Sequence, residues 1–348
     1  MKLMYRNNAF FIYLLLSALV VSIFCIDVKA QTPAQDCEKL TGEVAIIACD
    51  NAISLNPQSY QLLTSRSIAW SDKGDYVRAI HDLNNAILLN HEYGLAFALR
   101  GNAWLNKGDK DHALVDFNEA IRLNPETFIN YVSRGAIFFL NGDNNRAILD
   151  FNEAIRLNSQ NDKAYFNRGM AFLAVGANDS AIVDFNEAIR LNPYYDKAYF
   201  KRAIAWSDKG NIDLAFKDFS EVIRLNPLDS EAFNSRAILS FKKNDYDRAI
   251  SDFNEAIRLN PKFALAFLGR GNAWLYINQE SRAISDYNEA ISLNSNLGIA
   301  YYFRGNYWES KNHLLLALSD FRFYAHLEPN DPDGPKAIQR ISQKLNFK

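Results

Sequence analysis

Residues 116–125 read DFNEAIRLNP, and the same ten residues return at 184–193 and 252–261. Residues 150–159 repeat them with one change, DFNEAIRLNS. Working outward from this decapeptide, Pro57, Pro125, Pro193, Pro227, Pro261 and Pro329 fall on one 34-residue grid. Five positions earlier stands a small residue at Ala52, Ala86, Ala120, Ala154, Ala188, Ala256 and Ala290, with Val222 as a mild exception. Self-similarity at such a period marks a helical solenoid.

One period contains two helices. In LAFALRGNAWLNKG (95–108) Phe97, Ala103 and Trp104 share a stripe that stops at Gly108. In DKDHALVDFNEAIRLNP (109–125) Ala113, Phe117, Ala120, Ile121 and Leu123 do the same and stop at Asn124-Pro125. Spacings of three and four predict amphipathic helices. A proline disfavours helix at the residue before it. Two short helices cannot bury their apolar faces alone, so the units must stack into a continuous core.

These units resemble tetratricopeptide repeats. The family's aromatic, Leu-Gly, aromatic, Ala, Phe, Ala and Pro positions fall on Phe97, Arg100-Gly101, Trp104, Ala113, Phe117, Ala120 and Pro125. Eight units run 60–93, 94–127, 128–161, 162–195, 196–229, 230–263, 264–297 and 298–331. Residues 31–59 read as a degenerate N-terminal unit and 332–348 as a closing helix, with Asp333 expected to cap it and Ile338, Ile341 and Leu345 on its apolar face. The resemblance implies an all-α, right-handed superhelical solenoid of antiparallel helix pairs.

The chain departs from the family where leucine is usual: each unit has arginine, from Arg66 and Arg100 to Arg270 and Arg304. Sixteen residues after each stands an aspartate, from Asp82 and Asp116 to Asp286 and Asp320. A row of cationic ligand sites is one reading. Equal numbers in fixed phase favour the other, an internal Arg–Asp ladder, because a part-buried guanidinium needs a partner. The tryptophans Trp70, Trp104, Trp206, Trp274 and Trp308 share a column that reads as core, as do Phe117, Phe151, Phe185, Phe219, Phe253 and Phe321.

Lysine plus arginine (38) nearly balances aspartate plus glutamate (40), so the basic excess of a nucleic-acid binder is missing. Residues 1–30 carry Lys2 and Arg6, then 18 uncharged residues and Val28-Lys29-Ala30, which reads as a signal peptide and an exported protein, periplasmic or secreted; an uncleaved membrane anchor is the rival. Cys37 and Cys49 then suggest a disulfide, in preference to free thiols. The five histidines are scattered, no metal-ligand spacing, nucleophile elbow or phosphate loop occurs, and neither cofactor nor catalysis is expected.

The family resemblance implies a concave groove lined by the first helices that binds a protein or peptide. It maps here to Asn102, Phe139, Lys163, Phe166, Met170, Lys197, Phe200, Lys201 and Ile204, then Ile238, Phe241, Leu268, Asn272, Tyr276, Tyr302 and Asn306. The family's carboxylate-clamp lysine position holds Ala98, Val132, Phe166, Phe200 and Leu268, so a chaperone's C-terminal carboxylate fits poorly. Removing Phe166 and Phe200 is expected to leave stability nearly unchanged. The alternative use is structural homo-oligomeric assembly in the cell envelope.

Overall fold

The computed structural model describes residues 32–346. The segment 1–30, expected to be a signal peptide, lies outside them. The described residues form helices only, and these fall into two compact units that part between Asn141 and Gly142. That break sits at a turn inside 128–161, where the repeat pattern runs on uninterrupted.

The first unit holds α1 (Pro33–Lys39), α2 (Gly42–Leu55), α3 (Tyr60–Asp72), α4 (Tyr76–Leu89), α5 (Gly94–Asn106), α6 (Lys110–Leu123) and α7 (Phe128–Leu140). The second holds α8 (Asn144–Leu157), α9 (Asp162–Ala174), α10 (Asn178–Leu191), α11 (Asp196–Asp208), α12 (Ile212–Leu225), α13 (Ser230–Lys242), α14 (Tyr246–Leu259), α15 (Ala264–Tyr276), α16 (Glu280–Leu293), α17 (Gly298–Ser310), α18 (Leu314–Leu327) and α19 (Asp333–Asn346). Within each unit every helix packs on its neighbours in sequence, in the order of a solenoid.

Local chemistry explains the boundaries. Asp75, Asp109, Asp143 and Asp245 cap second helices by accepting a backbone N–H three residues on. The turn between paired helices needs a left-handed residue, with φ of 75–86° at Gly74, Gly108, Gly142, Gly176 and Gly210. Asn244, Asn278 and Asn312 take over that position at φ of 59–61°, as asparagine tolerates it best after glycine. Second helices end at asparagine, as at Asn124 and Asn192, ahead of the grid proline. The alanine and phenylalanine columns are buried: Ala120, Ala154 and Ala188 are fully enclosed, as are Phe117, Phe151 and Phe185. The tryptophan column is not. Its rings are half-buried, and Trp70 and Trp274 lie under Arg78 and Arg282 at 3.8 Å and 4.6 Å.

The ladder is internal. In Arg66–Asp82, Arg100–Asp116, Arg168–Asp184, Arg202–Asp218, Arg236–Asp252, Arg270–Asp286 and Arg304–Asp320, Nη2 donates to Oδ1 at 2.7–2.8 Å. In the same pairs Nε donates to Oδ2 at 2.7–2.9 Å, which makes each contact bidentate. These arginine side chains are 16–21% exposed and their aspartates 3–8%. Each arginine also reaches back sixteen residues. Its Nη1 donates to Asn84, Asn118, Asn152, Asn186, Asn254 or Asn288 at 2.6–2.8 Å, in Arg66 to Asp50, and in Arg236 to Ser220 Oγ at 3.2 Å. The third letter of DFNEAIRLNP is therefore a ladder residue too. One guanidinium ties the second helix of its own pair to that of the preceding pair.

The two ends are closed differently. Cys37 and Cys49 form a disulfide that pins the short α1 onto α2. At the other end Ile341 is fully buried, and Ile338 and Leu345 pack beside it on α18. Asp333 does not cap α19. Asp331 takes that place, its Oδ1 accepting the Asp333 N–H at 2.9 Å while Tyr324 donates its hydroxyl to Oδ2 at 2.6 Å. The helix begins at Asp333 itself, one residue earlier than an Asp333 cap would have it, so the aspartate two residues back is the one within reach.

Candidate peptide-binding face

First helices alternate buried small residues with outward columns. Ala198, Ala203 and Ala205 of α11 are fully enclosed, which turns Lys197, Phe200, Lys201 and Ile204 to the opposite side. Phe166, Lys197, Phe200 and Lys201 then line one cavity of about 240 Å³, with Val222 below and Asp196, Asp229 and Glu231 at its rim. Phe166 packs on Tyr195 at 4.8 Å and on Phe185 at 5.9 Å, and Phe200 meets Phe219 edge-on at 5.2 Å. The undersides of both rings thus rest on core. The expectation that they carry almost no stability is corrected by these contacts. Burial pushes the Tyr195 phenol up to about 12, with Asp162 and Asp196 adding to the effect, so it stays protonated. The cavity offers aromatic faces and both signs of charge.

A second cavity, of about 250 Å³, lies between α13 and α15. Phe241 and Asn272 belong to it, with Ile238, Leu265 and Leu268. Leu268 is 6% exposed, so it forms the cavity's wall instead of a groove surface. Tyr276 is 62% exposed and stacks on Tyr246 at 5.0 Å.

The other sequence-predicted residues are not gathered into these cavities. Lys163 is exposed, while Met170 is half-buried one turn further along α9. Ile204 supports Phe200 over Phe219. Asn102 and Phe139, both half-buried, belong to the first unit. Asn306 is half-buried on α17. Tyr302 is displaced from the expected role: its ring packs on Tyr324 at 4.9 Å and Phe321 at 6.0 Å, inside the cluster sealed by α19. A closing helix presents its apolar stripe to the last pair, and Tyr302 fills the space that results.

Two residues escaped the sequence reading. Asn234 lines the second cavity, and Tyr287 donates its hydroxyl to Asn272 Oδ1 at 2.7 Å. Each had a signal. Asn234 stands in the column of Ala98, Val132, Phe166, Phe200 and Leu268, and Tyr287 stands in a phenylalanine column. Among the described residues no group of three or more His, Cys, Asp or Glu could hold a metal ion, and no helix is long and apolar enough to cross a membrane.

Consecutive helix pairs with an outward first-helix face define a helical-repeat protein of the protein-interaction class. Tetratricopeptide-repeat patterns match residues 96–127, 162–195 and 230–263, and a further TPR repeat pattern matches 135–176. The chain carries tetratricopeptide repeats. Two of the matched spans coincide with units delimited above by the proline grid. Among solved structures, a chain of the APC/C hetero-tetramer Cut9–Hcn1 is similar at TM-score 0.55 and 19% identity over 86% of this chain. This chain spans 59% of that one. A tetratricopeptide repeat protein from Parabacteroides merdae matches at TM-score 0.50 and 20% identity, over 82% of this chain and 99% of that one. The C-terminal part of a TPR repeat-containing protein from Cytophaga hutchinsonii matches at 0.53 and 19%, over 65% and 93%. At these identities the likeness concerns the fold. No curated protein matches the chain. Tetratricopeptide-repeat proteins are generally non-catalytic scaffolds that bind protein or peptide partners.

Proposed function

We propose that this protein is an exported, non-catalytic scaffold whose first-helix groove captures a protein or peptide. The observation that carries the reading is the convergence of Phe166, Phe200, Lys197 and Lys201 on one cavity. Desolvated aromatic anchors ringed by charge are the usual energetic centre of an interface. The charged leader with its 18 uncharged residues supports export, and so does the Cys37–Cys49 bond, since disulfides persist in oxidising compartments.

The test is photo-crosslinking capture from cell-envelope extract, comparing Phe166→Ala/Phe200→Ala with Val183→Ala on the exposed second-helix face. We expect the double variant to lose at least about tenfold in captured partner and the control to lose none. Ring contacts with Phe185, Tyr195 and Phe219 should cost the double variant about 2 kcal/mol of stability, read in the same preparation. Undiminished capture by a folded double variant would remove the groove reading.

A second reading, self-assembly, has one observation in its favour. On α18 Leu315, Leu316 and Phe323 are 72%, 49% and 52% exposed, where earlier units carry mostly aspartate at the position of Leu315 and glutamate from Glu119 to Glu289 at that of Phe323. Light scattering on the purified chain separates the two, a strict monomer excluding assembly.

A further inference from the structure

The cavity between α13 and α15 contains an amide that the fold leaves unsatisfied. Asn234 is 8% exposed, and its Oδ1 is sealed from solvent without a hydrogen-bond partner. A buried polar atom in that state is costly and calls for a specific explanation. Folding does not require asparagine here. Other units fill the same column with threonine, alanine, valine, phenylalanine, leucine or tyrosine, never with a second amide.

A second amide faces the same space in a fixed orientation. Tyr287 is fully buried, and its hydroxyl donates to Asn272 Oδ1. Burial raises the phenol's pKa, so it remains a donor. With Oδ1 engaged, Asn272 presents its Nδ2 hydrogens. The remaining walls are apolar, and Gly269 keeps one of them open, since a Cβ there would lie 2.4 Å from the Phe253 ring. No charged side chain lines the cavity. A carboxylate entering it would be buried without a cation, which is strongly unfavourable. A neutral peptide unit suits it, because a side-chain amide matches both the donor and the acceptor of a backbone amide.

We propose that this cavity is the subsite for an internal, uncharged peptide segment. A large apolar side chain fills the space between Phe241, Phe253, Leu265 and Leu268, and the adjoining peptide unit bonds the Asn272 amide and, once its side chain turns Oδ1 into the cavity, the Asn234 amide. The inference rests on the peptide-binding reading above and specifies its ligand.

The probe is the blocked tripeptide acetyl-Ala-Phe-Ala-amide, titrated into the full chain carrying ¹⁵N-asparagine and followed by side-chain amide NMR. The Asn234 and Asn272 signals should move together and saturate. Asn234→Leu should weaken binding about tenfold without lowering the melting temperature, since it exchanges an orphaned amide for a hydrocarbon of similar size. Tyr287→Phe, which restores the residue of most other units, should weaken it about threefold by releasing the Asn272 amide. Acetyl-Ala-Phe with its free carboxylate should bind at least about tenfold more weakly than the blocked peptide. Unmoved asparagine signals at the highest probe concentration, equal affinity in Asn234→Leu, or preference for the free acid would each overturn the proposal. If the tripeptide binds Asn234→Leu normally but fails with Phe166→Ala/Phe200→Ala, the groove reading stands and this subsite falls.

Discussion

Second helices and first helices obey opposite rules in this chain. The second helices reuse one decapeptide almost letter for letter, and the structure puts three of its residues to identical work in pair after pair. Asp184 receives Arg168, Phe185 fills the core, and Asn186 receives Arg202. The outward columns of the first helices change from unit to unit, giving a charged aromatic cavity at Phe166–Phe200 and an uncharged one at Asn234–Asn272. Repetition marks what stacking demands, and variation marks where chemistry can be chosen. The difference can be broken most forcefully at the ladder. Burial raises the Asp184 carboxyl by more than Arg168 pulls it down, so the intact pair adds little. Breaking it costs far more. Asp184→Ala leaves a part-buried guanidinium uncompensated and should cost about 3–5 kcal/mol in urea unfolding, whereas Asp184→Ala combined with Arg168→Leu should recover most of that loss. Equal losses in the single and double variants would show that the ladder bears no load.

The ends test the same contrast, because there the repeat rules give way to local devices. Glu309 in α17 accepts Arg340 Nη2 at 2.6 Å, Arg340 Nε at 2.9 Å and Lys344 Nζ at 2.7 Å, clamping α19. These bonds, with Arg340 foremost, hold its carboxyl below the usual carboxylate range. A folded-state value below the unfolded one stabilises at pH above the unfolded value of about 4.3, and the contribution fades as pH falls through the folded value. Amide exchange in α19 should therefore accelerate on acidification below about pH 4, ahead of exchange in α13 and α14. Glu309→Gln should cost about 1 kcal/mol at neutral pH and abolish that acid step. An acid response in α19 that survives Glu309→Gln would assign the clamp elsewhere.

Much of this was legible in sequence, for a physical reason. Stacking imposes a period, and the period exposes every column that stacking uses: the helix pairs, the alanines, the phenylalanines and the Arg–Asp spacing. The asparagine of DFNEAIRLNP was visible by the same arithmetic, since it stands sixteen residues before the next arginine. The binding face was harder because residues that differ between units carry no periodic signature. Their role depends on neighbours from two or three helices. Leu268 looks outward in the pattern yet walls a cavity, and Tyr302 looks outward yet is claimed by α19. Asn234 was detectable only as the one amide in its column, and Tyr287 as the one hydroxyl in an apolar one. The tryptophans misled in the other direction, because a regular column need not be a buried one.

The smallest effect falls where the ladder itself departs from its rule. At residue 220 the decapeptide reads DFSEVIRLNP, and serine replaces the asparagine that elsewhere receives the next arginine. Arg236 Nη1 reaches Ser220 Oγ at 3.2 Å, against 2.6 Å for Arg202 to Asn186. The shorter side chain explains the gap, and Ser220 also spends its hydroxyl proton on the Phe216 carbonyl at 2.8 Å. If the backward bond is a true rung, Ser220→Asn should restore the short contact and raise stability by about 0.5 kcal/mol. Asn186→Ala should cost about 1 kcal/mol and Ser220→Ala clearly less, because the bond it removes is already long. Thermal unfolding of the three variants in one buffer settles the order. A loss at Ser220→Ala equal to that at Asn186→Ala would mean that the backward bond adds nothing to the bidentate pair. The ladder would then join helices within each pair only.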